Sequence, residues 1–155
     1  MVTTTVVPDD SAEMETFATQ VMARCIGSRV QQLSRIVAKV YDDALRPLGI
    51  TGSQFTLLAQ VARQDGIRQV EIGRRIGIEK STNSKNFKRL LASGHITMDP
   101  PAGRRGKHLH LTQKGEVTIK SAFPLWQEAQ SRVVAAVGTG TRATLESLIT
   151  AASKL

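Results

Sequence analysis

The sequence predicts a mainly α-helical fold, and three patterns lead to that prediction. Apolar residues recur every three to four positions over long stretches near both ends of the chain, which is the spacing of one helix face. Shorter helical segments separated by glycines fill the middle, and the period-two alternation of β-strands covers only a few residues. With 155 residues, 41% hydrophobic and 4% aromatic, the chain has the composition of one globular domain with an aliphatic core.

The first long helix is predicted from about residue 11 to residue 46, a stretch without proline. Pro47 and Gly49 end it. A helix of this length extends about 45 Å, which is more than the rest of so small a domain can cover. We therefore expect part of its apolar stripe to pack against a second chain. The stripe consists of Ile26, Val30, Leu33, Val37, Val40 and Ala44.

Three short helices are predicted next. Thr51 and Gln54 have the spacing of a capping box and begin the first of them. A turn at residues 65–66 precedes the second helix, which ends at Gly77, and the third runs from about residue 80 to residue 93. Because only a short break separates the second helix from the third, the pair predicts a helix-turn-helix.

A hairpin is predicted directly after these helices. Two short strands, at 96–98 and 108–111, flank the loop 100–107, which is rich in glycine, proline and basic residues. A second long helix begins near Thr112, a break follows at 138–140, and a last short helix completes the chain. A short hairpin after a helix-turn-helix is typical of a wing.

These elements together predict the fold class. It is a mainly α, winged helix-turn-helix protein with a two-stranded wing and long N- and C-terminal dimerisation helices. We expect a single domain over residues 1–155, in which a DNA-binding lobe covers about 51–111 and the dimerisation helices cover about 11–46 and 112–155.

The net charge of +8 lies entirely in the middle of the chain. Residues 63–120 hold 13 Lys and Arg against 5 Asp and Glu, whereas the remainder is neutral. A solvated basic face is the simpler explanation, but solubility alone gives no reason to concentrate the charge in this way. The basic segment therefore indicates a polyanionic partner. Because the helix-turn-helix and the wing both lie within it, we predict that this partner is double-stranded DNA.

The third short helix has the composition of a recognition helix. Its N-terminal half carries short polar side chains that reach base edges in a major groove, and Lys85 and Lys88 share a face. The wing loop adds basic side chains suited to the narrow, electronegative minor groove. The predicted DNA-binding residues are Ser81, Thr82, Asn83, Ser84, Lys85, Lys88, Arg104, Arg105 and Lys107.

Four segments resemble the multiple antibiotic resistance regulator (MarR) family. They are residues 35–55, 77–96, 111–115 (Leu-Thr-Gln-Lys-Gly) and 124–130 (Pro-Leu-Trp-Gln-Glu-Ala-Gln), and the similarity extends over about residues 20–150. The resemblance implies a homodimer that binds a pseudo-palindromic operator, usually as a repressor that a small ligand or an oxidant releases. It also places Ser81, Thr82, Ser84 and Lys85 in the base-reading part of the recognition helix, and Arg105 on the wing.

The chain departs from the family pattern at three positions. Gly103 lies two residues before the wing arginine, at a position where the family commonly has an acidic residue. Lys85 occupies a position that is commonly arginine, and Asn83 occupies one that is usually aliphatic. The resemblance therefore implies that an acid-to-arginine brace between wing and helix is absent here. The resemblance and the basic charge together favour a small aromatic or carboxylate effector, bound between the first helix and the helix that begins at Thr51.

Cys25, the single cysteine, has two interpretations that stay open. A reactive thiol near Arg24 and Arg29 would make the protein a redox-sensing regulator switched through Cys25. A thiol beside the apolar stripe at Ile26 would instead be an inert buried side chain, and its apolar neighbours favour this second interpretation.

Other classes of protein have less support. His108 and His110 share one strand face but have no further ligand nearby in the sequence, so surface histidines are predicted rather than a metal site. No phosphate loop, His-Glu metal motif or nucleophile elbow occurs, which argues against an enzyme and against a cofactor. A nonspecific architectural DNA-binding protein would share the basic charge and stays an alternative. Without a signal peptide or a spanning apolar stretch, we expect no membrane partner and a cytoplasmic location.

Overall fold

The computed structural model describes residues 10–76, 80–99 and 108–155. Most of these residues are helical, which confirms the predicted mainly α fold. The helices are α1 (Asp10–Arg24), α2 (Ile26–Leu45), α3 (Gly52–Arg63), α4 (Gln69–Ile76), α5 (Lys80–Ala92), α6 (Gln113–Val137) and α7 (Thr141–Ala152), with a 3-10 helix, Arg46–Leu48, after α2. The strands are β1 (Ile67–Arg68), β2 (Ile96–Met98) and β3 (His108–Leu111).

The chain divides into two compact units, with the boundary after Ile36. In the first unit, Cys25 separates α1 from α2, so the prediction of one uninterrupted helix from residue 11 to residue 46 is wrong. The amide of Cys25 still makes a helical hydrogen bond to Val21 O of α1 (3.0 Å), and the amide of Ser28 donates to Cys25 Sγ (3.4 Å), which caps α2. The apolar spacing continues across this break, and periodicity alone therefore does not detect it.

The apolar side chains of the first unit are largely exposed. On α1, Met14, Phe17 and Val21 follow the three-and-four spacing of one helix face. On α2, Ile26 is 78% exposed and Val30 is 60% exposed. The predicted stripe is thus present at these positions, and the chain by itself does not cover it.

The second unit, which begins at Val37, contains the buried core. Aliphatic side chains and two phenylalanines from the end of α2, from α3, α4, α5, the sheet and α6 form one cluster. Fully burying each such side chain stabilises the fold by about 1.5–3 kcal/mol relative to leaving it exposed. The buried members are Leu45, Ile50, Phe55, Leu57, Leu58, Val61, Ile67, Ile72, Phe87, Leu90, Ile96, Leu109 and Ala122.

The three strands form an antiparallel sheet in the order β1-β3-β2. Leu109 of β3 lies opposite Ile67 of β1 and opposite Met98 of β2, and its side chain is fully buried. The sequence predicted only β2 and β3. It missed β1 because two residues are too few to show an alternation of apolar and polar side chains.

The start of α3 is fixed by the predicted capping box. The amide of Gln54 donates to Thr51 Oγ1 (3.2 Å), and the amide of Thr51 donates to Gln54 Oε1 (2.9 Å). The amide of Gly52 donates to Asp42 Oδ1 (2.7 Å), which ties α3 to the end of α2. Farther along α2, the Tyr41 hydroxyl is hydrogen-bonded to the Gln130 side chain of α6.

The start of α6 is fixed to the segment between α5 and β2. Thr112 Oγ1 donates to Gly94 O (2.7 Å), and Lys114 Nζ donates to Ser93 O (2.6 Å). Gly115 packs so closely that a Cβ atom there would lie 2.2 Å from the carbonyl oxygen of His95. The Leu-Thr-Gln-Lys-Gly segment at 111–115 therefore has a packing role, in which glycine is required at its last position.

Candidate nucleic-acid interface

Helices α4 and α5 form the predicted helix-turn-helix. They pack on the core through Ile72 of α4 and through Phe87 and Leu90 of α5, all of which are buried. The connecting residues 77–79 lie outside the described residues. Since α5 places its apolar side on the core, its polar side faces outward and is available to a partner.

The start of α4 is fixed by Arg68 and Glu71. The Glu71 carboxylate accepts hydrogen bonds from the backbone amide of Arg68 (3.2 Å) and from its guanidinium group (2.7 Å). These bonds, together with the charge of Arg68, lower the pKa of Glu71. At the other end of α4, Arg75 Nη2 donates to Gln64 Oε1 at the end of α3 (2.7 Å), so both ends of this short helix are held.

Three cations on the polar side of α5 are exposed. Lys85, Lys88 and Arg89 are exposed, and no carboxylate of the described residues forms an ion pair with them. By contrast, Lys39 and Arg142 each pair with an acidic residue four positions later in the same helix. Free cations on the polar side of a recognition helix are available to phosphate groups.

The structure describes only part of the predicted DNA-binding set. Ser84 is half-buried, whereas Lys85 and Lys88 are exposed. The backbone of residues 81–83 belongs to the first turn of α5, but the side chains of Ser81, Thr82 and Asn83 lie outside the described residues. Residues 100–107, with Arg104, Arg105 and Lys107, also lie outside them. The roles assigned to all nine residues therefore stay predictions.

Arg89 is a further candidate contact on the same helix that the predicted DNA-binding set leaves out. Arg89 is exposed and lies four positions after Lys85 on α5, so the two side chains share a helix face. This spacing, visible in the sequence, was the signal that could have identified it. With Arg89 included, the polar side of α5 carries its cations over two consecutive turns.

Neither a metal site nor a membrane span occurs among the residues that the structure describes. No group of three or more His, Cys, Asp or Glu side chains there could hold a metal ion. His108 and His110 instead contact Asp99, and His110 also contacts Asp65. None of the helices in these ranges combines the length and the hydropathy needed to cross a bilayer.

Cys25 is exposed in the single chain, so the expectation of a buried, inert side chain is wrong there. Hydrogen bonds from the backbone amide and the side chain of Ser28 lower the pKa of the Cys25 thiol. A lowered pKa raises the fraction of thiolate, which is the reactive form.

Comparison with known proteins identifies the family. A family model described as MarR family matches residues 48–106. The transcriptional regulator MosR of M. tuberculosis has a similar solved structure, with 31% sequence identity and a TM-score of 0.76 over 85% of this chain and 98% of that chain. A structure of MosR in complex with DNA gives 32% identity and a TM-score of 0.74, over 84% of this chain and 98% of that chain.

More distant solved structures share the fold. MarR from E. coli, complexed with operator DNA, has 21% identity and a TM-score of 0.71 over 86% of this chain and 96% of that chain. PcaV from Streptomyces coelicolor, in complex with its natural ligand, has the same identity and TM-score over 86% and 94%. From the identity and coverage of the match to MosR, the chain belongs to the MarR family of DNA-binding transcriptional regulators.

Proposed function

We propose that this regulator is a homodimer that binds a pseudo-palindromic operator and represses transcription until a small organic ligand releases it. The observation that carries the proposal is the exposed, unpaired set Lys85, Lys88 and Arg89 on α5, a helix whose opposite side is buried in the core. These cations contribute little to the fold by themselves, since they have no acidic partner among the described residues. Their most direct role is to contact phosphate groups.

Two surfaces that lack a partner in the single chain support the homodimer. Apolar side chains are exposed on the N-terminal helices at Met14, Phe17, Val21, Ile26 and Val30. Others are exposed at the C-terminal end of the chain, at Val137, Leu145, Leu148, Ile149 and Leu155. Such extensive apolar exposure is typical of interfaces between chains. A C2 dimer would cover these surfaces and present two recognition helices to the two halves of a palindrome.

The relatives support the DNA-binding part of the proposal. MosR is known in complex with DNA, and E. coli MarR is known in complex with operator DNA. The exposed cations of α5 lie in the predicted winged helix-turn-helix segment of this chain, residues 51–111, which we call the lobe. We infer a regulatory role without catalysis, because the relatives that this chain resembles are transcriptional regulators.

Selection of genomic fragments by the purified protein tests the proposal. We expect enrichment of fragments that share an inverted repeat, and an affinity for them about 10³-fold or more above that for random DNA. Equal affinity for selected and random fragments would instead identify a nonspecific architectural protein. Lys85→Ala should weaken binding to operator DNA, whereas Lys39→Ala, a control outside the lobe, should leave it unchanged.

For the effector we propose a small carboxylate, and a groove between α3 and α4 offers a place for it. The groove is lined by Gln60, Arg63, Gln64 and Arg75 and has a volume of ≈ 600 Å³. Arg63 and Arg75 place two guanidinium groups, which donate to carboxylates, on the lining of this groove. A carboxylate paired with Arg75 would compete with the bond from Arg75 to Gln64, and would thereby release one end of α4 from α3.

Benzoate is a suitable probe for this groove. We expect benzoate to weaken operator binding by the wild type, and Arg75→Ala to remove that response. Arg74→Ala, the neighbouring arginine that does not line the groove, is the matched control and should respond as the wild type does. A full response in Arg75→Ala would place the effector elsewhere, including the predicted cleft between the first helix and α3.

The exposure and the lowered pKa of Cys25 favour a second candidate, a redox switch. In that case peroxide would release the wild type from DNA, and Cys25→Ser would stay bound at the same peroxide concentration. An identical peroxide response of the two proteins would exclude Cys25 as the sensor.

A further inference from the structure

His110 connects three segments of the lobe. It lies on β3, the middle strand of the sheet. Its Nδ1 atom is 2.9 Å from Oδ1 of Asp65, which is in the turn between α3 and β1, and its Nε2 atom is 3.1 Å from Oδ1 of Asp99, which follows β2. One imidazole ring therefore stands between two carboxylates that come from opposite edges of the sheet.

Each ring nitrogen of His110 faces a carboxylate, which in its ionised form accepts hydrogen bonds and cannot donate them. A neutral imidazole has a single N–H and can donate to one of the two carboxylates, whereas an imidazolium donates to both. The Nε2 atom is shielded from solvent, and its contact with Asp99 is an ion pair rather than a well-aligned hydrogen bond. A deprotonated Nε2 would thus place a lone pair against the Asp99 carboxylate, with no water to relieve the contact.

The surrounding charges reinforce the protonated form. The hydrogen bond to Asp65 and the close Asp99 carboxylate raise the pKa of His110 and outweigh the effect of burial. His108, on the same face of β3, has its Nδ1 atom 3.6 Å from the other oxygen of Asp99. The elements packed against β3 carry further charged groups. Arg68 of β1 is paired with Glu71 of α4, and Lys114 of α6 is bonded to Ser93 O. Arg63 lies on α3, and Glu116 and Lys120 lie on α6.

We propose that His110, as an imidazolium, is a positioning residue for DNA binding that ties the end of β2 and the turn before β1 to β3. Residues 100–107 connect Asp99 to His108 in the sequence, so the ion pairs fix the two points between which the predicted basic loop runs. The imidazolium also offsets the charge of two carboxylates on a lobe that must approach phosphate groups. This inference rests on the proposed DNA-binding function.

The sign of the pH dependence follows from the raised pKa. The stabilisation is fully present below the ordinary histidine pKa of about 6.5 and is lost as the pH rises through the higher value in the folded protein. Affinity for operator DNA should therefore be greatest on the acid side of neutrality and should decrease above it.

The test is the operator affinity of the full chain between pH 5.5 and 8.5 at constant salt. For the wild type we expect a decrease of roughly tenfold across this range, and for His110→Gln a change of less than about twofold. His108→Gln, whose contact with Asp99 is longer, is the matched control and should keep the wild-type profile. A His110→Gln profile as steep as that of the wild type would overturn the inference.

A measurement without DNA tests the protonation of His110 separately from the proposed DNA-binding function. In a histidine NMR titration, the pKa of His110 should lie above the ordinary value in the wild type and fall toward it in Asp65→Asn and in Asp99→Asn. A wild-type pKa at or below the ordinary value would overturn the inference while leaving DNA binding intact. If the wild type prefers no selected fragment over random DNA at any pH, the proposed function fails and the positioning role fails with it.

Discussion

The terminal helices and the lobe differ in the exposure of their large apolar side chains. Sixteen large apolar side chains are exposed among the described residues, and thirteen of them lie on α1, on α2 or from Val137 to the C-terminus. The other three are Val70, Val117 and Phe123. In the lobe, by contrast, the large apolar side chains are mostly buried and the exposed positions carry cations. The lobe thus has a well-packed core and exposes charge, whereas the terminal helices expose apolar surface that the proposed dimer would cover.

The largest expected effect is on assembly of the proposed dimer. Val30→Asp places a charge on the exposed stripe of α2, and in a C2 dimer the charge enters the interface twice. Burying an unpaired charge in an apolar interface should weaken the dimer by roughly 3–5 kcal/mol. Light scattering at micromolar concentration measures the result.

Val70→Asp is the matched control for that experiment. Val70 is 55% exposed on α4, in the lobe, and Val30 is 60% exposed on α2, so the two changes are the same in chemistry and similar in exposure. Only the change on α2 should produce monomers. A dimer that survives Val30→Asp unchanged would show that this stripe is not the interface.

The second prediction concerns the completeness of the lobe's core. Gly115→Ala adds a methyl group 2.2 Å from the carbonyl oxygen of His95 and 2.7 Å from Leu111 Cδ1. The backbone must shift to accommodate it, which should destabilise the fold by roughly 2–3 kcal/mol. Gly140→Ala adds the same atom at the N-cap of α7, where nothing lies within 4 Å, and should change the free energy of unfolding by less than about 1 kcal/mol. Equal urea midpoints for the two variants would contradict the packing role of Gly115.

The third prediction concerns the basic loop of the lobe. Arg105→Ala should weaken operator binding by about 1–3 kcal/mol, because a groove contact is lost. Lys107→Ala should weaken binding to all sequences alike and make it less dependent on salt, as expected for a phosphate contact. Fluorescence anisotropy with operator and random duplexes separates the two effects. If Arg105→Ala binds operator as tightly as the wild type does, the loop makes no specific contact.

The smallest of these effects is at the start of α3. Thr51→Ala removes the hydroxyl that accepts from the Gln54 amide and should cost about 1 kcal/mol of stability. Thr56 is exposed inside the same helix and its hydroxyl bonds only to Gly52 O, so Thr56→Ala should be neutral or slightly stabilising. Urea unfolding monitored by circular dichroism compares the two, and a larger loss in Thr56→Ala would contradict the role of the capping box.

Local signals in the sequence predicted much of the fold. The capping box at Thr51, the short helices and the break at 138–140 depend on residues within one or two turns of each other. The connections that the sequence did not reveal are long-range. His110 and Asp65 are 45 positions apart, and Tyr41 and Gln130 are 89 positions apart. No periodicity or local spacing brings such pairs together, because only the packing of the sheet and of the helices does.

For the candidate site, the features within one helix were predictable from the sequence, and burial was not. The charge of α5 and its apolar side could be read from spacing, and the exposure of Lys85 and Lys88 agrees with that expectation. The neighbouring apolar residues favoured a buried Cys25 thiol, whereas the thiol is exposed in the single chain. Burial depends on whether another surface covers the apolar stripe, and the spacing of residues does not show this. The sequence identifies which residues share a helix face, whereas only the structure shows whether that face is covered.

In the proposed dimer, the terminal helices hold two lobes at one fixed separation on DNA. This arrangement is tested by comparing the affinity for a selected operator with the affinity for the same operator carrying about five extra base pairs, half a helical turn, between the half-sites. We predict that the insertion lowers the affinity to that of a single half-site, because one lobe then faces the wrong side of the duplex. Equal affinity for the two duplexes would contradict this arrangement and would show that the lobes bind independently.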